Sequence, residues 1–285
     1  MRALSLAALQ TAPVPRDPEA TLGLLARRVR SLRTTVPHAQ LAVLPELHLS
    51  APPSTLEEHS GYAREVAVEI PGPLTEALGR IAAESEIWLV PGSVYELASD
   101  GRVHNTAVVL APDGELVASY RKVFPWQPHE TCAPGEEFVT FDIPEVGRVG
   151  LAICYDGSFP ETFRQLAWMG AELIVQVNLT TTSDREQELV MARANAIFNQ
   201  LYVLSLNAAT PAGVGRSLIA DPEGLVRVAS GSGEEVLTDV LDLEAVERVR
   251  RFGTAGVSRM WEQMMREGPG IELPMYGGPV REPAA

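Results

Sequence analysis

A cysteine stands where a predicted buried strand gives way to a predicted helix. Cys154 follows the apolar run 149–153, and a short turn separates it from the helix predicted to begin at Pro160. A thiol at such a junction lies near backbone N–H groups that favour the thiolate, the form that attacks a carbonyl carbon. Cys154 is therefore a candidate nucleophile, although a cysteine considered alone is more often buried and inert.

Two charged residues complement this cysteine. Glu46 comes directly after the apolar segment 41–44 and Pro45, where burial would raise the pKa of a carboxyl group towards the range useful for proton transfer. Lys122 follows a predicted hairpin in a segment with aromatic neighbours that could enclose an ammonium group. Taken singly, a strand-end glutamate facing water and a solvated lysine are ordinary alternatives.

The elements that must position these residues alternate between strands and helices. Apolar runs and period-two patterns predict strands at 3–11, 41–44, 87–95, 148–154, 172–177 and 201–206. Helical spacing of apolar residues predicts helices over 18–33, 73–84, 160–169 and 185–199. Turn sequences at 112–114 and 221–224 predict two hairpins, the first joining 102–111 to 115–120. This order predicts an α/β fold with mixed sheets covered by helices.

The composition excludes several classes of protein. The chain has 285 residues, of which 46% are hydrophobic and only two are cysteines, so a disordered chain and a disulfide framework are both excluded. A net charge of −14 would repel phosphate groups, so we expect neither nucleic acid nor an anionic membrane as a partner. No apolar stretch is long enough for a membrane span, and the low cysteine count favours a reduced, cytoplasmic setting.

Three motifs in this order resemble the nitrilase (carbon–nitrogen hydrolase) superfamily. They are a carboxylate after a buried strand (Glu46), Tyr-Arg-Lys after a hairpin (ending at Lys122), and Cys-Tyr-Asp-Gly ahead of Pro-Glu (beginning at Cys154). The triplet His-Asn-Thr at 104–106 is a further match. The resemblance implies a four-layer α-β-β-α sandwich over residues 1–250.

The resemblance also implies chemical roles. Cys154 would attack the carbonyl carbon and form a thioester, while Glu46 would accept and return protons. Lys122 would stabilise the oxyanion together with the backbone N–H of Tyr155. Glu130 matches the family's second glutamate, which supports the pocket. No cofactor is implied, and the five histidines lack the spacing of metal ligands.

The residues after the cysteine favour an amide as substrate. Nitrile-cleaving members typically carry Trp-Glu there, whereas this chain has Tyr155 and Asp156. Carbamoylases often place arginines at the two positions occupied here by Gly157 and Ser158, to hold a substrate carboxylate. We therefore expect a small carboxamide hydrolysed to a carboxylate and ammonia, as in aliphatic amidases and formamidases. An N-carbamoyl amidohydrolase, with a carboxylate held by Arg164 or Arg185, is the alternative; a nitrilase or an inactive scaffold is less favoured.

The acyl side of the pocket is expected to be polar. In the family, the loop after the strand 172–177 lines this side, and here it begins with Asn178 and contains Thr180. Together with Trp126 and Tyr155, these residues are the predicted substrate contacts. Cys132 receives no role.

The tail 251–285 differs in composition from the rest of the chain. Four of its side chains would share one helical face, namely Met260, Trp261, Met264 and Met265. Such a face must be covered, either by the chain's own core or by another subunit. Because tails in the family commonly cross a dimer interface, we expect a homodimer or higher homo-oligomer.

Overall fold

Two mixed sheets dominate the part of the chain that the computed structural model describes, residues 2–53 and 56–264. Their strands, in chain order, are β1 (Ala3–Gln10), β2 (Leu41–Val43), β3 (Trp88–Val90), β4 (Ser93–Leu97), β5 (Val103–Leu110), β6 (Leu116–Arg121), β7 (Thr140–Ile143), β8 (Gly147–Ile153), β9 (Leu173–Asn178), β10 (Tyr202–Asn207), β11 (Leu218–Ala220), β12 (Val226–Ala229) and β13 (Glu235–Asp242). The first sheet has the order β13-β1-β2-β3-β5-β4, with β6 paired to β5, and the second has the order β12-β11-β10-β9-β8-β7.

Parallel strands form the centre of each sheet. β1, β2 and β3 are parallel neighbours in the first sheet, and β8, β9 and β10 are parallel neighbours in the second. The two predicted hairpins, β5–β6 and β11–β12, are both present as antiparallel pairs. Short turns join these antiparallel pairs, whereas the parallel strands at the centre of each sheet need longer crossover connections.

Helices cover the outer faces of the sheets. They are α1 (Pro18–Thr35), α2 (Leu56–Val66), α3 (Pro73–Ser85), α4 (Pro160–Trp168), α5 (Arg185–Asn199), α6 (Glu244–Phe252) and α7 (Met260–Met264). The start of α1 shows why they form where they do, since the Asp17 carboxylate accepts from the backbone N–H of Ala20 and Pro18 occupies the first turn. Of the helices described, none is both long and apolar enough to span a membrane.

Alternating side chains along each strand separate three layers of core. In β1, Leu4 and Leu6 pack between the two sheets, while Ala7 and Leu9 pack under α1 and α3. On the second sheet, α4 and α5 cover a separate cluster that includes Phe163. Each fully buried large side chain stabilises the fold by about 1.5–3 kcal/mol. The expected α-β-β-α sandwich is therefore confirmed.

Some elements differ from the sequence prediction. The predicted strand 87–95 is two strands, because Pro91 and Gly92 interrupt it. Gly92 has a φ of 87°, and a Cβ there would overlap the carbonyl of Pro45, so only glycine permits this close approach. Four elements were not predicted, namely the strands β7 and β13 and the helices α2 and α6.

Candidate active site

Glu46 lies three residues beyond the end of β2 and is almost fully buried, with 3% of its surface exposed. One carboxylate oxygen, Oε1, accepts from Asn105 Nδ2 at 2.8 Å and from Lys122 Nζ at 3.2 Å. The other, Oε2, accepts from the backbone N–H of Leu179 at 2.7 Å. Donors from three distant parts of the chain therefore fix the orientation of this carboxylate.

Lys122 follows β6 directly and is 1% exposed. Besides Glu46, its ammonium donates to both oxygens of Glu130, at 2.7 and 2.9 Å. Burial would lower the pKa of Lys122, but Glu46 and Glu130 outweigh that effect and hold its pKa well above the usual value. The lysine is therefore a fixed positive charge between two carboxylates.

Cys154 occupies a tight elbow between β8 and a 3₁₀ turn at 154–158. Its φ of 44° lies in the left-handed region, which costs a non-glycine residue energy unless its surroundings enforce it. Gln176 provides part of that enforcement by donating its side-chain N–H to the Cys154 carbonyl at 2.9 Å. The elbow presents the thiol, partly exposed, to a cleft.

Asp156 stabilises the same elbow through three hydrogen bonds. Its carboxylate accepts from the backbone N–H groups of Ile153 and Phe124, both at 2.9 Å, and from the Tyr120 hydroxyl at 2.8 Å. Tyr120 belongs to the first sheet and Ile153 to the second, so these bonds tie the elbow of Cys154 to the opposite sheet. Burial raises the pKa of Asp156 to about 6 despite these donors and Lys122.

The surroundings of Cys154 favour the neutral thiol. Burial and the carboxylate of Glu46 raise its pKa well above the usual value, and the attraction of Lys122 does not offset them. The sequence-based expectation of a stabilised thiolate is not met, because burial and then the Glu46 carboxylate raise the pKa of the thiol more than Lys122 lowers it. Burial likewise raises the pKa of Glu46, with Lys122 opposing it. A reaction at this sulfur would therefore need a nearby base to accept the thiol proton.

The cleft above Cys154 has an empty volume of about 800 Å³, open solvent included. Both the candidate catalytic side chains and several other polar side chains line it. The lining residues are Glu46, Leu47, Lys122, Trp126, Glu130, Cys154, Tyr155, Ser158, Leu179, Thr180, Thr181, Thr182, Asp184, Gln187, Glu188 and Met191. The structure thus brings together the four residues predicted to be catalytic.

The predicted substrate contacts divide into two groups. Trp126, Tyr155 and Thr180 line the cleft. Asn178 does not, because its fully buried amide donates to the Gln176 carbonyl at 3.1 Å within the second sheet. A contact between Asn178 and substrate therefore has no support in this geometry.

Glu188 is a cleft residue that the sequence analysis did not identify. Its carboxylate accepts from Thr180 Oγ1 at 2.7 and 2.8 Å and from Arg185 Nη1 at 2.9 Å. Arg185 and Glu188 lie one turn apart on α5, a spacing visible in the sequence, but only the fold shows that Glu188 lines the cleft while Arg185 is buried beneath it in contact with Glu188.

Cys132 lies outside the group that lines the cleft. It is buried beside Leu47 and Tyr95, and burial raises the pKa of its thiol to about 12. Its thiol is therefore inert at neutral pH. Within residues 2–53 and 56–264, no group of three or more His, Cys, Asp or Glu side chains is arranged to hold a metal ion.

Comparisons with known proteins agree on one family. The family model for carbon–nitrogen hydrolases matches residues 5–251. Omega-amidase NIT2 of Homo sapiens is 34% identical over 208 residues, which cover 67% of this chain and 74% of that protein. A formamidase of Bacillus cereus (strain Q1) is 31% identical over 215 residues, which cover 73% of this chain and 64% of that protein. The crystal structure of Saccharomyces cerevisiae Nit3, a member of branch 10 of the nitrilase superfamily, superimposes with a TM-score of 0.79 at 28% identity, covering 88% of this chain and 94% of that one.

Proposed function

Because the chain belongs to the carbon–nitrogen hydrolase family, we propose that it hydrolyses a small uncharged carboxamide to a carboxylate and ammonia. The observation that carries this proposal is the convergence of Glu46, Lys122 and Cys154 at the base of one cleft, with Glu46 and Lys122 in direct contact. These groups supply a base, a cation and a nucleophile, the three functions that amide cleavage through a thioester requires.

In the first half of the reaction, the sulfur of Cys154 attacks the carbonyl carbon while Glu46 accepts the thiol proton. The carbonyl oxygen becomes an oxyanion, which the Lys122 ammonium and the backbone N–H of Tyr155 stabilise. Glu46 then donates the proton to the amide nitrogen as the carbon–nitrogen bond breaks. Ammonia leaves, and the acyl group remains on Cys154 as a thioester.

In the second half, water takes the place of ammonia. Glu46 removes a proton from the water, whose oxygen attacks the thioester carbon. The new oxyanion collapses, the carbon–sulfur bond breaks, and the sulfur regains the proton from Glu46. Both carboxylate oxygens of Glu130 accept from the Lys122 ammonium, so its role in this scheme is to fix the ammonium.

The cleft favours an uncharged acyl group. Among the described residues that line it, Lys122 is the one cation, and its ammonium already contacts two carboxylates. Arg185 cannot hold a substrate carboxylate, because it is 1% exposed and its guanidinium donates to Glu188 and to Ser205. A side chain at Gly157 would displace the amide of Gln176, which donates to the Cys154 carbonyl.

A matched pair of substrates tests this preference. We expect kcat/KM for butyramide to exceed that for the monoamide of succinic acid, which has the same length, by at least about tenfold, because the cleft would place the second compound's carboxylate near Glu130 and Glu188. Ammonia release measures both. Equal values would contradict the uncharged class. An N-carbamoyl amino acid and butyronitrile complete the series, since release of carbon dioxide with ammonia would identify the alternative carbamoyl activity.

We further propose that residues 1–250 form the hydrolase domain, that the tail 251–285 contributes to a homo-oligomer, and that the protein acts in the cytoplasm. Large apolar side chains remain exposed on the outer helices, with Val190 and Phe198 of α5 at 68% and 54%. In the tail, Trp261 packs against the chain's own Arg250, with the guanidinium carbon 4.5 Å from the ring centroid. Met264 is half-exposed, and Met265 lies outside the described residues.

Truncation after Arg251 is expected to lower the number of subunits per particle, measured by multi-angle light scattering, because it removes both α7 and the rest of the tail. A second truncation after Met264 retains α7 and separates its contribution from that of the last residues. An unchanged number of subunits in both truncated proteins would show that the tail does not contribute to the interface.

A further inference from the structure

The triplet His-Asn-Thr on β5 has one member that reaches the candidate site. Asn105 is fully buried, and its side-chain N–H donates to Glu46 Oε1 at 2.8 Å. Its backbone carbonyl accepts from the N–H of Lys122, also at 2.8 Å. One strand residue therefore contacts the carboxylate with its side chain and the start of the lysine loop with its backbone.

The other contacts of Asn105 do not explain its presence. Its side-chain oxygen is buried and has no hydrogen-bond partner in the described structure. A buried polar atom without a partner is destabilising, so an apolar residue of similar size would satisfy the packing of β5 better. What the amide supplies, and an apolar residue would not, is the N–H directed at Glu46.

The side-chain N–H of Asn105 is one of three donors that fix the orientation of the Glu46 carboxylate. Oε1 of Glu46 receives Asn105 and Lys122 on one side, and Oε2 receives the backbone N–H of Leu179. Each of these groups donates and none accepts, so all three favour the ionised carboxylate over the acid. Asn105 stands on a strand in the middle of three others, β3, β4 and β6, which makes it a rigid support.

We propose that Asn105 is a positioning residue that holds Glu46 in one orientation and keeps it ionised, so that it can take the proton of Cys154. This inference rests on the proposed function only in assigning Glu46 as the base. Asn105 does not line the cleft, so it would act through Glu46 and not on the substrate directly.

Asn105→Leu tests the inference, with Thr106→Val as the matched control. Thr106 is the next residue of β5, is equally buried, and also donates to a carboxylate, that of Glu96, at 2.6 Å. For Asn105→Leu we expect kcat for butyramide to fall about tenfold with KM nearly unchanged, and the acid limb of the kcat/KM profile to move upward by about one pH unit. Thr106→Val should keep the wild-type acid limb, whatever it does to the melting temperature.

A second variant and a second measurement keep the test valid if Asn105→Leu does not fold or if butyramide is not a substrate. Asn105→Asp is nearly isosteric, and its charge beside Glu46 should also move the acid limb upward. Alkylation of Cys154 by iodoacetamide, followed by peptide mass spectrometry, needs the same proton removal but no amide turnover. An acid limb of alkylation that coincides in wild type, Asn105→Leu and Asn105→Asp would overturn the inference. If the wild-type protein cleaves no amide, but the acid limb of alkylation still moves upward in the two Asn105 variants, the proposed function alone would be overturned.

Discussion

Protein with Cys154→Ala is expected to form no hydroxamate from butyramide and hydroxylamine, whereas the wild-type protein forms it readily. Hydroxylamine intercepts the thioester, and alanine offers no atom on which the acyl group can be held. Removing a nucleophile typically reduces kcat by about 10⁴-fold or more, since the remaining groups only orient the substrate. Colorimetric detection of the hydroxamate, alongside ammonia release, measures the loss.

The second cysteine provides the control for this experiment. Cys132 is buried and lies outside the group that lines the cleft, so Cys132→Ala should retain wild-type hydroxamate formation. The thioester mechanism would be wrong if the Cys154→Ala protein kept its activity, or if Cys132→Ala alone abolished it.

Replacement of Glu46 by Gln is expected to reduce kcat by about 10²- to 10⁴-fold, the range for removal of a general acid–base. The amide keeps the size of the side chain but cannot accept the thiol proton. Because burial raises the pKa of Glu46, the wild-type activity should also fall as the pH drops through a value above the usual glutamate range. Stopped or continuous ammonia assays across pH give both quantities.

A buried glutamate outside the cleft provides a control, because its replacement should affect stability without affecting proton transfer. Glu96 is also buried, and it accepts from Thr106 and from Arg121, but it does not line the cleft. Glu96→Gln should lower the melting temperature while leaving kcat close to the wild-type value. A loss of less than threefold on Glu46→Gln would mean that another group is the base.

The central elements and the main candidate residues could be predicted from the sequence. Strands such as β8 and helices such as α5 show uninterrupted apolar runs or a clear helical period. Glu46, Lys122 and Cys154 each have an ordinary explanation when taken singly, and they stand out because their three motifs occur together in the order that resembles the carbon–nitrogen hydrolases. Local patterns therefore predict the elements, whereas the candidate residues are predicted only as a set.

The supporting contacts could not be predicted in the same way. The N–H of Leu179 that binds Glu46 is 133 residues away along the chain, and a backbone group carries no signal in the residue type. Asn105 is separated from Glu46 by 59 residues. Asn178 shows the converse, because its polar side chain at a strand end suggested the cleft, whereas its buried amide binds backbone inside the sheet.

The division of the site between two sheets has a consequence for how the protein loses activity. Glu46 and Lys122 are carried by the first sheet and Cys154 by the second, so the distance from the Glu46 carboxylate to the Cys154 sulfur is set by how the sheets are docked. Asp156 accepts hydrogen bonds from Tyr120 and Phe124, and these bonds hold that docking beside Cys154. A slip of one sheet against the other would separate the reacting groups while leaving every strand and helix intact. We therefore expect the hydrolytic activity to be lost when the two sheets shift relative to each other, before secondary structure is lost.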